Sequence, residues 1–432
     1  MAPPLRSPFH EEQITSEAER SRLARQHLTV LGRSGQRLAR ERVRLKFLQA
    51  AGTRYRNETG DLLTPPRRIL VIRPDHLGDL LFTTPALHLL RQQFPAAGIT
   101  ALTGPWASAV VENHPDLDEV LTCDFPGFGR RPKGSPWAPY SLLRREAQRL
   151  TPLGFDLALI LRFDHWWGAW LAAAAGIPRR IGYRVPETAP FLTDAQPYLA
   201  GRHEVLQNLA LVLAAGPGKD RETHDATSAG WRTSFPVPAE DEARAKGLLA
   251  EAGATGRLVA LHPGSGAAVK RWRTGAWIAL AVELVRRHGV RIVLTGSAGE
   301  AQLIDPILAG LSGLSPRPMS LAGRTTLGAL AAIYRRCDLV VGPDSGPLHL
   351  AVAVGVPTVH LYGPVDRRTF GPWGNPKRHP VITSNWACAP CNRLDWPGAG
   401  LAEHGCLRDI TVEQVLAEAS RFLTTPSGEL RG

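Results

Sequence analysis

The segment RRILVIRPDHLGD, residues 67–79, carries the pattern that decides the fold class. Residues 67–73 are a run of Ile, Leu and Val between arginines, which is typical of a strand buried on both faces of a sheet. A short loop follows, and we predict a helix from Asp79 to Gln93, because Pro95 prevents its continuation. A buried strand that leads into a helix is the unit from which parallel α/β sheets are built.

The same alternation of strand and helix continues through most of the chain. Residues 216–240 interrupt it with a polar stretch rich in Gly and Pro, which indicates an interdomain linker. We therefore predict an α/β fold with two doubly wound domains at residues 67–235 and 236–423, preceded by a basic helical arm at 1–66. Helices are predicted at 166–175, 274–288 and 326–336, and a last helix from Thr411, with Gln414 completing a capping box. Further strands are predicted at 99–102, 119–123, 156–162, 180–183, 257–263, 290–296, 337–343, 357–363 and 380–385.

The composition is that of a globular protein. A chain of 432 residues is long enough for two domains, and 44% hydrophobic with 21% charged residues exclude a disordered chain. No apolar run is long enough to predict a membrane-spanning helix, and the N-terminal residues MAPPLRSPFHEEQ lack the apolar segment of a secretory signal. We therefore expect a cytoplasmic protein, and its five cysteines fit a reducing compartment.

The net charge of +12 is concentrated in the N-terminal arm. Residues 20–56 contain eleven Lys or Arg and one acidic residue, Glu41, and so account for +10 of the total. A protein that binds nucleic acid usually carries its basic surface on the folded body, so we expect no nucleic-acid partner. Leucines recur every seven residues in this segment and predict a basic amphipathic helix, which two glycines weaken. The helix either packs on the body or on a partner subunit, or it attaches to an anionic membrane surface at the inner membrane face.

The segment GPDSGPLHL, residues 342–350, brings Asp, Ser and His together after a predicted strand. A hydrolase triad is excluded, because the G-x-S-x-G spacing is absent and Asp344, next to Ser345, cannot orient His349 from its far side. We predict instead a helix that begins near Gly346, whose free amide groups suit a phosphate. Asp344 and Ser345 then either contact the ligand or merely cap the helix.

The segment HPGSGAAVKRW, residues 262–272, follows another predicted strand. Gly264 and Ser265 belong to a flexible turn and Lys270 follows within reach, an arrangement that suits a diphosphate. Neither the P-loop pattern nor the G-x-G-x-x-G fingerprint occurs in the chain, so we expect a different binding scheme. Open α/β sheets bind ligands at the carboxyl ends of their strands, and we expect a cleft between the two domains to collect these loops.

These stretches resemble glycosyltransferase family 9, the ADP-heptose:lipopolysaccharide heptosyltransferases. The resemblance rests on RILVIRPDHLGDLLFTTPAL, LHPGSGAAVKRW and VVGPDSGPLHLAVAVGVPTVHLYGP, and it extends in unchanged order from about residue 67 to residue 423. It implies a GT-B architecture of two Rossmann-like domains, with the acceptor bound by the first domain and the nucleotide-sugar donor by the second. It also implies an inverting transfer without a metal ion or other cofactor, from ADP-heptose to a lipid-linked or polysaccharide acceptor.

The family's functional residues map onto this sequence position by position. Asp79 in LGD matches the catalytic base, whereas the sequence alone leaves open that it is the N-cap of its helix. We also assign Arg162, at the end of a predicted first-domain strand, to the acceptor. Lys270 matches a lysine at the donor diphosphate, and Glu300 falls near an acid at the donor ribose. The resemblance places donor contacts at Gly264, Ser265, Lys270, Glu300, Asp344, Ser345, Gly346 and His349.

Two features depart from the family pattern or stand outside it. Heptosyltransferases often carry a histidine shortly after the LGD aspartate, and this chain has Phe82 in that region, near the expected acceptor. Four possible soft ligands occur near the C-terminus, at Cys388, Cys391, His404 and Cys406. They could hold zinc, but their spacing is not that of a standard finger, and packed free thiols are the alternative.

Three other functions stay open on the sequence alone. A nucleotide-sugar epimerase or hydrolase of the same fold would convert the donor without an acceptor. A non-catalytic protein that binds a sugar nucleotide would result if Asp79 served only as a helix cap. A protein that binds nucleic acid through the arm would lose its activity when residues 1–60 are deleted.

Overall fold

A computed structural model describes residues 35–55, 65–129, 135–216, 230–386, 389–394 and 406–424, with side chains described from residue 42 onward. The chain divides into two compact units, with the boundary between Trp231 and Arg232. Among the described residues, no helix combines the length and the apolar character that crossing a bilayer requires. The limits predicted for the arm and the two domains, and the binding roles given to them, stay predictions.

The first unit is built on one six-stranded parallel sheet. Its helices and strands in chain order are α1 (Gly35–Gly52), β1 (Arg68–Arg73), α2 (Leu77–Leu81), α3 (Thr84–Gln93), β2 (Gly98–Thr103), β3 (Glu119–Thr122), α4 (Ala138–Leu150), β4 (Leu157–Ile160), α5 (Trp166–Ala174), β5 (Arg179–Tyr183), β6 (Asp194–Gln196) and α6 (Glu204–Ala215). The strand order is β3-β2-β1-β4-β5-β6. Because the order reverses between β1 and β4, the loops after these strands leave the sheet at its topological switch point.

The second unit repeats this topology. Its helices and strands are α7 (Ala239–Glu251), β7 (Leu258–Leu261), α8 (Thr274–His288), β8 (Arg291–Leu294), α9 (Ala301–Gly310), β9 (Met319–Ser320), α10 (Leu327–Tyr334), β10 (Leu339–Pro343), α11 (Gly346–Ala353), β11 (Thr358–Tyr362), α12 (Arg367–Phe370), β12 (Val381–Thr383) and α13 (Val412–Thr424). All pairs are parallel in the order β12-β11-β10-β7-β8-β9. The switch point of this sheet therefore lies between β7 and β10.

Alternate side chains of β1 point to the two opposite faces of the first sheet. Leu70 and Ile72 are fully buried and belong to the core that includes α4 and Trp167 of α5. Ile69 and Val71 are buried as well, although alternate side chains of a strand point to opposite faces. Burial on both faces explains the unbroken apolar run of the sequence and confirms the predicted class of two Rossmann-like α/β domains.

The helix predicted from Asp79 to Gln93 is wrong as a single element, because α2 and α3 replace it. Pro85 is the cause, since it has no N–H to donate to the carbonyl of Leu81 and its ring would clash with that carbonyl. Thr84 Oγ1 donates to Leu81 O instead, at 2.8 Å. As a result α2 is a short helix that holds Asp79 directly after β1.

The predicted boundaries of two helices, both ends of α8 and the start of α13, are confirmed. α8 begins and ends at the residues that the sequence predicts, Thr274 and His288. Before α13, the Thr411 N–H donates to Gln414 Oε1 at 2.8 Å. In return the Gln414 N–H donates to Thr411 Oγ1 at 3.3 Å, which completes the capping box.

The helix predicted in the arm is confirmed for Gly35–Gly52, whereas residues 20–34 lie outside the described part of the chain. Its described portion packs on the first unit, which was one of the two alternatives. Leu48 is fully buried there. A Cβ on Gly52 would lie 2.2 Å from Cβ of Pro190, so the helix end approaches the body more closely than any larger residue permits.

Candidate active site

Asp79 lies at the carboxyl end of β1, within the short helix α2. The helix begins at Leu77, and its N-cap is His76, which makes no side-chain capping hydrogen bond. Asp79 is the third residue of the helix, so the alternative in which it serves as the N-cap is wrong. About 29% of its side chain is exposed, which leaves the carboxylate accessible to a ligand.

A buried arginine, Arg73, contacts three carboxylates, one of which is that of Asp79. Its side chain is only 4% exposed, and Nε lies 2.7 Å from Asp75 Oδ2. Nη2 lies 3.1 Å from Glu204 Oε2 and 3.8 Å from Asp79 Oδ1. Nη1 donates to the Leu161 carbonyl at 3.1 Å. One guanidinium therefore connects the ends of β1 and β4 with the start of α6.

The charges around Arg73 set the protonation of Asp79. Burial, and next the negative charge of Asp75, raise the pKa of Asp79 to about 7, although Arg73 lowers it. For Asp75 burial favours the neutral form, but Arg162 and Arg73 together lower its pKa below the ordinary value. Asp79 can therefore exchange a proton near neutral pH, which is the property that a general base requires.

Arg162 follows β4 and lies beside the same carboxylates. Its Nη1 contacts Asp75 Oδ1, and Nε donates to Asp164 Oδ1 at 2.6 Å. The guanidinium lies over the ring of Phe128, 5.1 Å from its centroid. About 31% of the Arg162 side chain is exposed. The structure thus brings Arg162 and Asp79 to the same network through Asp75, while acceptor binding by Arg162 stays a prediction.

Phe82, where the family often has a histidine, belongs to the core next to Asp79. Its side chain is 2% exposed. The ring contacts that of His203 edge-on, with centroids 5.1 Å apart. His203 is the N-cap of α6, and its Nδ1 accepts from the Val205 N–H at 3.2 Å. Phe82 therefore contributes apolar packing and no ionisable group to this part of the site.

In the second unit, the loop after β7 holds Lys270 against Asp344, which follows β10. Lys270 ends a 3₁₀ turn (Ala268–Lys270), and its Nζ lies 2.9 Å from Asp344 Oδ2. Both side chains are largely buried. Ser265 is buried in the same loop, and its Oγ donates to the Asp344 carbonyl at 3.4 Å. Three residues that were predicted to bind the nucleotide-sugar donor therefore meet at the switch point of the second sheet.

Asp344 does not cap α11. The helix begins at Gly346, and its N-cap is Ser345, which makes no side-chain capping hydrogen bond. The Asp344 carboxylate lies 3.5 Å from Nε2 of His349 in addition to its contact with Lys270. Burial favours its neutral form, but Lys270 and His349 lower the pKa of Asp344 below the ordinary value. Asp344 is thus an anion that orients the ammonium of Lys270 and the ring of His349.

The hydroxyl of Ser345 is buried and makes no hydrogen bond with any described residue. The residue is 7% exposed, and its Oγ has no partner in the described part of the chain. A buried polar group left unsatisfied costs about 1–3 kcal/mol, so such a group indicates a place that a ligand completes. Ser345 directly precedes Gly346, the first residue of α11, whose N–H has no hydrogen-bond partner in the described part of the chain and is available to an anion. The side-chain capping alternative is wrong for Ser345 as well.

Glu300 lies beside the loop that contains Gly264. Its Oε2 accepts hydrogen bonds from the Ser297 N–H at 2.7 Å and from Ser297 Oγ at 2.9 Å. A Cβ on Gly264 would lie 2.0 Å from Glu300 Oε1, so the backbone of the loop passes directly against this carboxylate. The structure brings Glu300 to the predicted donor loop, and its contact with a ribose stays a prediction.

The cysteine cluster falls partly outside the described residues. Cys391 is half-buried and Cys406 is buried, whereas Cys388 and His404 lie in segments that are not described. In the described ranges, no group of three or more His, Cys, Asp or Glu side chains is placed to hold a metal ion. Zinc binding by the four residues therefore stays a prediction.

Sequence reasoning missed Arg73 and Glu204, which lie beside Asp79. Arg73 ends an apolar strand, and a charged residue at that position is the one signal that could have identified it. Glu204 lies 131 residues further along the chain, so no local pattern connects it to Arg73. Asp75 stands in the quoted loop two residues after Arg73, but its other arginine partner, Arg162, follows β4. Only the fold brings Glu204 and Arg162 to these two residues.

Comparisons with known proteins identify one family. The model of glycosyltransferase family 9 (heptosyltransferase) matches residues 143–395, which is more than half of the chain. Lipopolysaccharide heptosyltransferase 2 of Salmonella typhimurium is 25% identical over 361 residues, which cover 83% of this chain and 99% of that protein. Lipooligosaccharide heptosyltransferase 2 of Campylobacter jejuni is 29% identical over 168 residues, which cover 39% of this chain and 51% of that protein. The chain therefore spans about half the length of this second relative.

Solved structures show the same fold. The structure of E. coli ADP-heptose lps heptosyltransferase II matches with a TM-score of 0.67 at 23% sequence identity. The match covers 82% of this chain and 98% of that chain. This likeness extends over both Rossmann-like units and confirms the expected GT-B fold class.

Proposed function

Since the chain belongs to glycosyltransferase family 9, we propose that it is an inverting glycosyltransferase that moves heptose from ADP-heptose to a lipid-linked or polysaccharide acceptor. The relatives named above act in lipopolysaccharide or lipooligosaccharide heptosyl transfer, which supports a lipopolysaccharide precursor as the acceptor. The observation that carries the proposal is the carboxylate of Asp79, partly exposed at the end of β1 and held beside buried Arg73.

Asp79 serves as the general base in this proposal. The acceptor hydroxyl donates its proton to the Asp79 carboxylate while its oxygen forms a bond to the anomeric carbon. The bond from that carbon to the diphosphate oxygen breaks, and ADP leaves with the bonding electrons. Attack on the face opposite the leaving group inverts the anomeric configuration. A pKa of about 7 suits this step, because the carboxylate is ionised in half of the molecules at neutral pH and still binds a proton well.

The second unit holds the donor and stabilises the leaving diphosphate. Lys270 has three donor hydrogens and Asp344 occupies one direction, so the ammonium can also donate to a phosphate oxygen. The buried Ser345 hydroxyl and the N–H of Gly346 at the start of α11 provide further hydrogen-bond donors. Positive charge aimed at a developing diphosphate lowers the barrier to its departure. The proposal therefore requires no metal ion or other cofactor.

Arg162 contacts the acceptor in this proposal. Its guanidinium is about one-third exposed and is held by Asp75 and Asp164, so its remaining donors can bind a hydroxyl or an anionic group of a saccharide. Asp79 and Arg162 are the partly exposed members of the charged network around Arg73, and such polar groups suit a sugar better than an apolar substrate.

The substitution Asp79→Asn tests the base assignment. We expect kcat for sugar transfer to fall at least about 100-fold, because general-base catalysis contributes at least that factor. The affinity for ADP, measured by calorimetry, should stay within two-fold or so of the wild type, because the donor site lies in the second unit. The matched control is Asp305→Asn, an exposed aspartate on α9 that should leave both values unchanged. Transfer that survives Asp79→Asn would show that another group is the base.

A further inference from the structure

Several large apolar side chains of the first unit are exposed on α1 and at the start of α4. Trp137 is 74% exposed, Val43 is 69% exposed and Phe47 is 46% exposed. We propose that they belong to a surface that binds an anionic lipid bilayer. This surface consists of Arg42, Val43, Lys46, Phe47, Trp137 and Tyr140.

The apolar side chains of this surface form one contiguous patch. The Phe47 ring lies 5.6 Å from that of Tyr140 and 5.8 Å from that of Trp170, measured between centroids. Trp137 lies 6.1 Å from Tyr140. Val43 precedes Phe47 by four residues on α1, so the two side chains lie on the same side of the helix. Scattered apolar residues are ordinary on a protein surface, whereas a joined patch with two aromatic rings indicates a binding surface.

The patch is fixed to the body of the first unit. Leu48, next to Phe47 in α1, is fully buried, and Gly52 lies against Pro190. Beyond the helix, Arg180 Nη2 donates to the Tyr55 carbonyl at 3.2 Å. Because the helix is already ordered against the core, docking at a bilayer need not fold it, and this lowers the entropic cost of binding.

The charge around the patch selects an anionic partner. Residues 42–56 contain five Lys or Arg and no acidic residue. Within the described part of the chain, Arg42, Lys46 and Arg144 pair with no carboxylate, and Arg144 follows Tyr140 by one helical turn. In the sequence, Arg130, Arg131 and Lys133 precede Trp137 without an intervening acid. Unpaired cations among the described residues therefore lie on the same two helices as the exposed apolar side chains.

Aromatic rings beside unpaired cations fit the interface of an anionic bilayer. Trp and Tyr prefer the region of the lipid headgroups, where one end of the ring is apolar and the other is hydrated. Arg and Lys reach anionic headgroups with their charged ends while their aliphatic parts cover apolar surface. A nucleic acid would use the cations but would give no reason for exposing Val43 and Trp137 together.

The experiment is sedimentation of the full-length protein with phosphatidylcholine vesicles, with or without phosphatidylglycerol. We expect binding to the anionic vesicles only, and a decrease of binding as salt is raised. The double charge reversal Arg42→Glu/Lys46→Glu should weaken binding at least about 25-fold, since each basic residue near the surface contributes roughly five-fold. Val43→Ser/Trp137→Ser, which changes two mainly exposed side chains, should weaken binding at least about ten-fold.

A matched control removes the same residue types from the second unit. Lys246→Glu/Lys377→Glu and Trp386→Ser change exposed side chains there and should bind vesicles like the wild type. Thermal melting of every variant checks that the fold is intact. The proposal is overturned if the wild type binds neither kind of vesicle or both equally, or if the control variants lose as much binding. It is also overturned if the charge reversals abolish binding to duplex DNA or RNA and leave vesicle binding intact.

Vesicle binding is measured without a donor or an acceptor, so it stands apart from the proposed transfer reaction. A protein that binds anionic vesicles but transfers no sugar would refute the proposed function and support this inference. A protein that transfers sugar to a soluble acceptor but does not bind vesicles would support the proposed function and refute this inference.

Discussion

The raised pKa of Asp79 predicts how activity depends on pH. Because burial and the charge of Asp75 raise that pKa to about 7, the carboxylate that accepts the proton forms only as the pH rises through this value. We expect kcat/KM to increase with pH with an inflection near 7, well above the ordinary value for an aspartate. A profile that is already flat above pH 5 would show that the base is a carboxylate of ordinary pKa.

The raised pKa of Asp79 also predicts how the stability of the folded protein depends on pH, which checks the pKa independently of activity. The folded state holds the Asp79 proton more tightly than the unfolded state, so the contribution of Asp79 to stability is largest at low pH. That contribution is lost as the pH rises from about 4, where the unfolded group titrates, through about 7. Asp79→Asn should therefore melt at a higher temperature than the wild type at pH 8, and no higher at pH 4.

Lys270 carries the charge that the proposal places at the donor diphosphate. Lys270→Ala should weaken ADP binding by about 1.5–3 kcal/mol, the usual value for a hydrogen bond to a charged group. This corresponds to a Kd roughly 10 to 150 times higher, measurable by calorimetry. The variant also leaves the buried Asp344 without its ammonium partner, so its melting temperature is measured alongside.

The control for Lys270 is Lys246→Ala, which changes an exposed lysine on α7 of the same unit. Its ADP affinity should equal that of the wild type. Equal affinities for the two variants would remove Lys270 from the donor site, whatever the effect on stability.

The loop after β7 predicts a second effect on the donor site. Gly264→Ala places a Cβ 2.0 Å from Glu300 Oε1, and Glu300 is held in position by two hydrogen bonds to Ser297. Either the loop or the carboxylate must move, so we expect ADP affinity to fall about ten-fold or more. Gly247→Ala is the control, because a Cβ there meets no atom within 4 Å and alanine favours the helix α7. An unchanged affinity in Gly264→Ala would separate this loop from donor binding.

The sequence predicts the presence of helices and strands better than it predicts where a helix is interrupted. Apolar runs identify the buried strands, because a strand covered on both faces needs apolar residues at every position. The split between α2 and α3 depends on Pro85, whose effect on the carbonyl of Leu81 is visible only when the helix register is known. β6 (Asp194–Gln196) has three half-buried residues, of which only the alanine is apolar, so it gives no apolar run.

The two units place their functional groups at equivalent positions of one topology. In each sheet the strand order reverses beside the first strand, and the loops after the first and fourth strands carry the charged residues. This rule allowed the sequence to locate Asp79, Lys270 and Ser345 at strand ends. It could not supply the Arg73 network or the role of Asp344, because these depend on side chains from distant elements meeting at specific distances.

A donor screen by mass spectrometry tests the proposed heptosyl transfer. The wild-type protein is incubated with ADP-, GDP- and UDP-sugars, with and without a saccharide acceptor, in the presence of EDTA. We expect ADP-heptose to be consumed, with release of ADP and a heptose added to the acceptor, only when the acceptor is present. Conversion of a donor without an acceptor would indicate an epimerase or hydrolase, and transfer that stops in EDTA would contradict the metal-independent mechanism. Consumption of no sugar nucleotide under any condition would contradict the account as a whole.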